Sequence, residues 1–107
     1  MMARPFAMTA RQSEATCTVV LRGELDGASI GELVEQVEAC MDAGATDVLI
    51  DCRALEFMDS KGVGGLLELK ARLEEKGGVL VLFAPPSRVR RTLAVTGLDT
   101  VFQVVDE

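Results

Sequence analysis

The 107-residue sequence predicts an α/β fold: a mixed, mostly parallel sheet with helices packed on one face, in the order β-β-α-β-α-β-α-β. Three observations carry this. Short β-branched, apolar runs alternate with amphipathic stretches of helical period. Gly or Pro punctuates most of the changes from one to the other. The links are short, so successive strands are neighbours. Right-handed crossovers that always add on the same side then place every helix on one face. The first two strands have no helix between them and form an antiparallel hairpin.

The elements follow in chain order. Phe6-Ala7-Met8-Thr9 is a weak strand signal, and Gln12-Ser13-Glu14 marks the turn after it. Thr16-Cys17-Thr18-Val19-Val20-Leu21 is a strand that ends at Gly23. Ser29 with Glu32 three residues later reads as a capping box. Ile30, Leu33, Val34, Val37 and Met41 then recur at helical spacing, with Glu32, Glu35, Glu38 and Asp42 forming an acidic, solvated face. Gly44 closes this helix. Asp47-Val48-Leu49-Ile50-Asp51-Cys52 reads as a short strand buried on both faces.

A second helix begins near Asp59-Ser60 and runs to Gly77-Gly78. Its apolar stripe is Val63, Leu66, Leu67 and Leu73. Glu68 with Arg72, and Lys70 with Glu74, are spaced for pairs on its exposed side. Val79-Leu80-Val81-Leu82-Phe83 is a continuous apolar strand. Pro85-Pro86-Ser87 opens a third helix that turns Val89 and Leu93 inward and ends at Gly97. Arg88, Arg90 and Arg91 cluster on it, two of them outward. Val101-Phe102-Gln103-Val104-Val105 is the last strand.

Composition bounds the function. With 49% hydrophobic and 26% charged residues, residues 1–107 have the composition of a single globular domain. No apolar run approaches the roughly 20 residues of a membrane span, so no direct membrane insertion is expected. Met1-Met2-Ala3-Arg4-Pro5 leads into no apolar signal core, which implies a cytoplasmic protein. Histidine is absent, which removes Ser-His-Asp and Cys-His catalysis and the usual general base near neutral pH. A net charge of −6 and the absence of Trp and Tyr argue against a nucleic-acid partner. The acidity is local: residues 23–52 hold eight acidic side chains and no basic one, whereas residues 53–98 hold eight basic and five acidic. Cys17, Cys40 and Cys52 are widely spaced without a C-x-x-C pair, and read as buried small hydrophobes. No metal, no cofactor and no enzymatic activity are expected.

The segment Phe57-Met58-Asp59-Ser60-Lys61-Gly62-Val63-Gly64-Gly65-Leu66-Leu67 stands out. It joins a loop to a helix N-terminus, where Asp59 or Ser60 is placed to cap. Its three glycines each cost a helix about 1 kcal/mol against alanine, so they call for close packing or for close approach of a partner. Gly62-Val63-Gly64 is not a dinucleotide fingerprint, because Leu67 takes the place of the third glycine. It is not a phosphate-binding P-loop either, because Gly-Lys-Ser/Thr is missing.

Gly23-Glu24-Leu25-Asp26 after a strand, Phe57-Met58-Asp59-Ser60-x-Gly62-x-Gly64, Gly77-Gly78 before a strand, and Thr96-Gly97-Leu98 with Phe102 together resemble the STAS domain. More narrowly, they resemble the bacterial anti-sigma factor antagonists. The resemblance spans nearly the whole chain, and it implies the same STAS-like fold. It further implies a protein that binds an anti-sigma factor, often a serine kinase, and frees a sigma factor. In that family the kinase reverses binding by phosphorylating a Ser or Thr at the N-terminus of the second helix. The resemblance places the partner surface on Asp26, Met58, Asp59, Ser60, Lys61, Gly62 and Val63, with Met58 as an adaptable apolar contact. The chain departs from the pattern at one position. The family's acceptor is the residue before the glycine, and here that residue is Lys61, which has no hydroxyl. Ser60 is the remaining candidate for phosphorylation, one residue earlier and about 100° around the helix. A lysine there also suits a constitutive module. The alternative reading is therefore a STAS subunit of a transport system, such as a lipid-trafficking ABC transporter.

Overall fold

The computed structural model describes residues 6–107. The expectation drawn from Met1-Met2-Ala3-Arg4-Pro5 lies outside the described residues. The element order is β1 (Ala7–Ser13), β2 (Thr16–Leu25), α1 (Ile30–Asp42), β3 (Asp47–Met58), α2 (Ser60–Glu75), β4 (Leu80–Phe83), α3 (Ser87–Val95) and β5 (Gln103–Val105). The five strands form one sheet in the order β1-β2-β3-β4-β5. β1 pairs antiparallel with β2, and the remaining neighbours pair parallel.

Alternation decides which face is covered. Cys17, Val19 and Leu21 of β2, Val48, Ile50 and Cys52 of β3, and Leu80 and Leu82 of β4 all turn inward. Leu33 and Val37 of α1, Leu66, Leu69 and Leu73 of α2, and Val89 and Leu93 of α3 complete the same core. One continuous apolar layer therefore joins the inner face of the sheet to all three helices. Leu69 belongs to the α2 stripe although the sequence reading passed over it, and Leu67 is only half-buried.

Several local expectations are corrected. The first hairpin turns at Glu14, whose φ is +54°, so β1 runs on through Gln12 and Ser13. β3 is not buried on both faces, since Leu49 on its outer side is half-buried. It is also longer than its apolar run, continuing to Met58. Two irregularities in its register with β2, after Val20 and after Gly23, let it do so. β5 starts at Gln103, because Val101 and Phe102 still close a turn onto Leu98.

The surface pairs differ as well. Lys70 and Glu74 meet at 2.7 Å. Arg72 instead reaches across to Glu38, tying α2 to α1. Glu38 therefore does not belong to a purely solvated acidic face. In α3, Arg90 turns back to the carbonyl of Pro85 and to Asp106. Arg88 and Arg91 line a shallow hollow with Pro86 and Ser87.

Candidate partner-binding site

The site lies where the end of β2 meets the start of α2. The backbone amide of Asp59 donates to the carbonyl of Leu25 at 3.2 Å. Asp59 is extended and caps α2: its Oδ1 accepts the amide of Gly62 at 2.9 Å. This satisfies one of the helix's unpaired first-turn donors. Ser60 is the first helical residue, and its hydroxyl is exposed rather than used as a cap. Of the two candidate caps, the structure selects Asp59.

The β2–α1 loop is organised by Asp26. Its Oδ1 accepts the amides of Ala28 and Ser29 at 3.0 and 3.1 Å. Ser29 Oγ accepts the amide of Asp26 at 3.0 Å and donates to the carbonyl of Glu24 at 2.8 Å. The Ser29 hydroxyl is thus spent on the loop, and it makes no cap bond to α1. The expected capping box is replaced by an Asx-type turn three residues earlier, because Asp26 reaches the free amides first.

The glycines of α2 divide by environment. A Cβ on Gly62 would lie 2.4 Å from the Leu25 carbonyl oxygen, and one on Gly65 would lie 2.2 Å from Ile30 Cγ1. Both are therefore required by packing, the first against β2 and the second against α1. Gly64 has nothing within 4 Å.

The residues expected at the surface also divide. Asp26, Asp59, Ser60 and Lys61 are brought together with at least part of each side chain accessible. Met58, Gly62 and Val63 face the core, with Met58 1% and Val63 2% exposed. Met58 therefore cannot offer an apolar contact. Each of the two irregularities adds one residue to β3 relative to β2, so the facing reverses twice and Met58 returns to the side of Val48, Ile50 and Cys52. Phe57 is the residue the sequence reading missed. It sits opposite Glu24 in the ladder and is 38% exposed. No local signal marks it, because simple alternation along β3 fails at the two irregularities, between which Leu55 turns inward.

Gly27 and Lys61 are in contact. A Cβ on Gly27 would lie 2.8 Å from Lys61 Cδ. Among the described residues Lys61 makes no ion pair. The arrangement is a surface of mixed charge with one exposed hydroxyl, tied together by the main-chain link from Asp59 to Leu25. Among the described residues no group of three or more His, Cys, Asp or Glu is placed to hold a metal ion. No helix among them is long and apolar enough to cross a membrane.

Residues 8–106 match the family model described as "Mlab, STAS domain". The chain belongs to the STAS domain family. It is 33% identical over 84 residues to the anti-sigma F factor antagonist of Lysinibacillus sphaericus, covering 76% of this chain and 72% of that protein. Its fold superposes on the anti-sigma factor antagonist SpoIIAA in its unphosphorylated form with a TM-score of 0.83. That pair is 26% identical and covers 94% of this chain and 88% of the other. SpoIIAA from Bacillus in its phosphorylated form gives a TM-score of 0.76 at 25% identity, covering 94% and 91%. The STAS chain has the five-stranded sheet, three helices and element order expected from its sequence.

Proposed function

We propose that this STAS protein is a non-enzymatic, cytoplasmic regulator that binds an anti-sigma factor of the serine-kinase type and so frees a sigma factor. The supporting observation is the junction of the Asp26 loop with the α2 N-terminus. That junction presents Asp26, Ser60 and Lys61 beside one another on a chain whose relatives are anti-sigma factor antagonists. Each carboxylate there is braced by main-chain amides, so the surface is organised before a partner arrives. Preorganisation of this kind lowers the ordering cost of binding.

The phosphorylation step is absent at the usual place. Lys61 offers no hydroxyl, and its charge is positive where a phosphate would be strongly negative. Ser60 is exposed, but it leaves the helix in another direction. Control through a phosphate at the acceptor position is therefore closed to this protein. The fixed lysine equally supports a second reading, a STAS subunit of a lipid-trafficking ABC transporter.

Titration calorimetry against each purified anti-sigma factor of the source organism tests the first reading. Binding to one of them, with displacement of its sigma factor, is the expected result. Binding to none, together with co-purification in a complex with a transport ATPase, would establish the second.

A further inference from the structure

The two edges of the sheet differ. β5 is an edge of three residues, Gln103–Val105. β1 is an edge of seven, Ala7–Ser13, and among the described residues no strand pairs with its outer side. A long edge is a template for another strand, and proteins blunt it with proline, bulges or several charges. β1 has only Arg11. It holds no proline, and its pairing with β2 runs without irregularity from Ala7 opposite Arg22 to Ser13 opposite Thr16.

The hairpin fixes which main-chain groups of this edge are free. Ser13 and Thr16 flank a two-residue turn, so they exchange hydrogen bonds across it. Every second pair then does the same: Arg11 with Thr18, Thr9 with Val20, Ala7 with Arg22. The amides and carbonyls of Met8, Ala10 and Gln12 therefore point away from β2, evenly spaced about Ala10. An antiparallel strand that meets them two residues apart on either side of Ala10 is this same strand turned by a two-fold axis.

We propose that β1 is an interface for a second copy of this chain: two β1 strands pair antiparallel about a two-fold axis at Ala10, joining the two five-stranded sheets edge to edge. In that register Met8 exchanges hydrogen bonds with Gln12 of the second copy, and Ala10 with its own equivalent. The side chains allow it. Ala10 at the axis is exposed and carries only a methyl group. Thr9 lies opposite Arg11 of the second copy, so no like charges are opposed. Residues 6–13 hold no acidic side chain in a chain of net charge −6, so the pairing brings no two acidic strands together. The three-residue β5 edge offers no second template of this length, so the assembly closes at two copies instead of growing into a fibre. None of Asp26, Ser60 and Lys61 lies on β1, and the proposal stands apart from the regulator reading.

Sedimentation velocity on the full chain tests this, with fold read by thermal melting. The wild type should pass from monomer to dimer as concentration rises. The midpoint should be about 100 μM, since one pair of short strands buries less than a standard interface. Hydrogen exchange should slow with concentration at the amides of Met8, Ala10 and Gln12. It should stay constant at Thr9 and Arg11, whose amides β2 already holds. Ala10→Glu and Ala10→Lys each set two like charges at the axis. Each should lose the dimer while keeping the melting temperature that the wild type has as a monomer. An equimolar mixture of the two variants should recover the dimer, because only the mixed pair sets opposite charges across the axis. A wild type that stays monomeric to about 1 mM would overturn the second copy as occupant and leave the edge to a strand of another protein. A dimer that survives in Ala10→Glu, or a mixture that recovers nothing, would overturn the pairing about Ala10.

Discussion

The carbonyl oxygen of Leu25 occupies the space into which a Cβ on Gly62 would project, 2.4 Å away. The obstacle is main chain, held in place by the Asp59 amide that also donates to it. Gly62→Ala must therefore part β2 from α2. Overpacking of this kind costs about 1–3 kcal/mol, more than the roughly 1 kcal/mol that alanine returns to a helix. Urea denaturation should show a lower midpoint for Gly62→Ala. A higher midpoint would mean that the junction has slack.

The cap gives a sharper pair. Asp59→Ala removes the acceptor of the Gly62 amide and should cost about 1 kcal/mol. Ser60→Ala removes an exposed hydroxyl that caps nothing and should stay within about 0.5 kcal/mol. Equal losses in denaturant titrations would return part of the capping role to Ser60.

How much of this was legible in the sequence depends on range. The strand and helix order was written in local periodicity, and the Gly44 and Gly97 stops in local backbone need; both have positive φ. Non-local choices were not. Ser29-x-x-Glu32 has the form of a capping box, yet Asp26 takes the Ser29 amide and the Ser29 hydroxyl turns to the Glu24 carbonyl. Arg72 has Glu68 four residues away, yet Glu38 on a neighbouring helix takes it. The motif around Phe57 located the candidate site, but which of Phe57 and Met58 faces outward depended on two irregularities in a strand pairing. Neither irregularity has a marker within the motif.

The thiols should be inert while the chain is folded. Cys17 and Cys52 are buried, and that burial pushes their thiols up to about 12. For Cys17 a hydrogen bond with Cys40 adds to the effect. The thiolate is the reactive form, so little of it exists at pH 8. A colorimetric thiol reagent should label the native chain slowly and all three cysteines rapidly in guanidinium. The raised values also set a sign. The unfolded chain loses these protons near pH 9 while the folded one keeps them, so stability should fall as pH rises from about 9 towards 12. Rapid native labelling at Cys17 would show that the start of β2 opens from the end of α1.

Asp51 should contribute the opposite slope. Arg53 contacts both of its carboxylate oxygens, Nε to Oδ1 at 3.1 Å and Nη2 to Oδ2 at 2.8 Å. This holds its carboxyl below the usual carboxylate range. A depressed folded value means that the stabilisation is present above the unfolded value near 3.9 and lost as pH falls through the folded one. Arg53 is half-exposed, so solvent screening keeps the effect modest. Melting temperatures of the wild type should fall between pH 5 and 2 more steeply than those of Asp51→Asn. Parallel profiles would assign the acid sensitivity to other carboxylates.

Phosphorylation gives the last test, because two adjacent side chains predict different outcomes. Lys61 stands at the family's acceptor position and has no hydroxyl. Ser60 has one, exposed on the first residue of α2. A phosphate there would gain from the helix N-terminus, so the local field does not forbid it. What opposes it is direction: one residue is about 100° of rotation, and a kinase shaped for the acceptor position would meet the Lys61 stem on Gly27 instead. The chain isolated from its native cells should therefore carry no phosphate in any growth phase, as read by intact mass. Lys61→Ser restores a hydroxyl in the original direction, and it should gain one phosphate when incubated with a kinase-type anti-sigma factor and ATP. A phosphate mapped to Ser60 in the native chain, rising and falling with partner release, would mean that the switch moved one residue along rather than being lost.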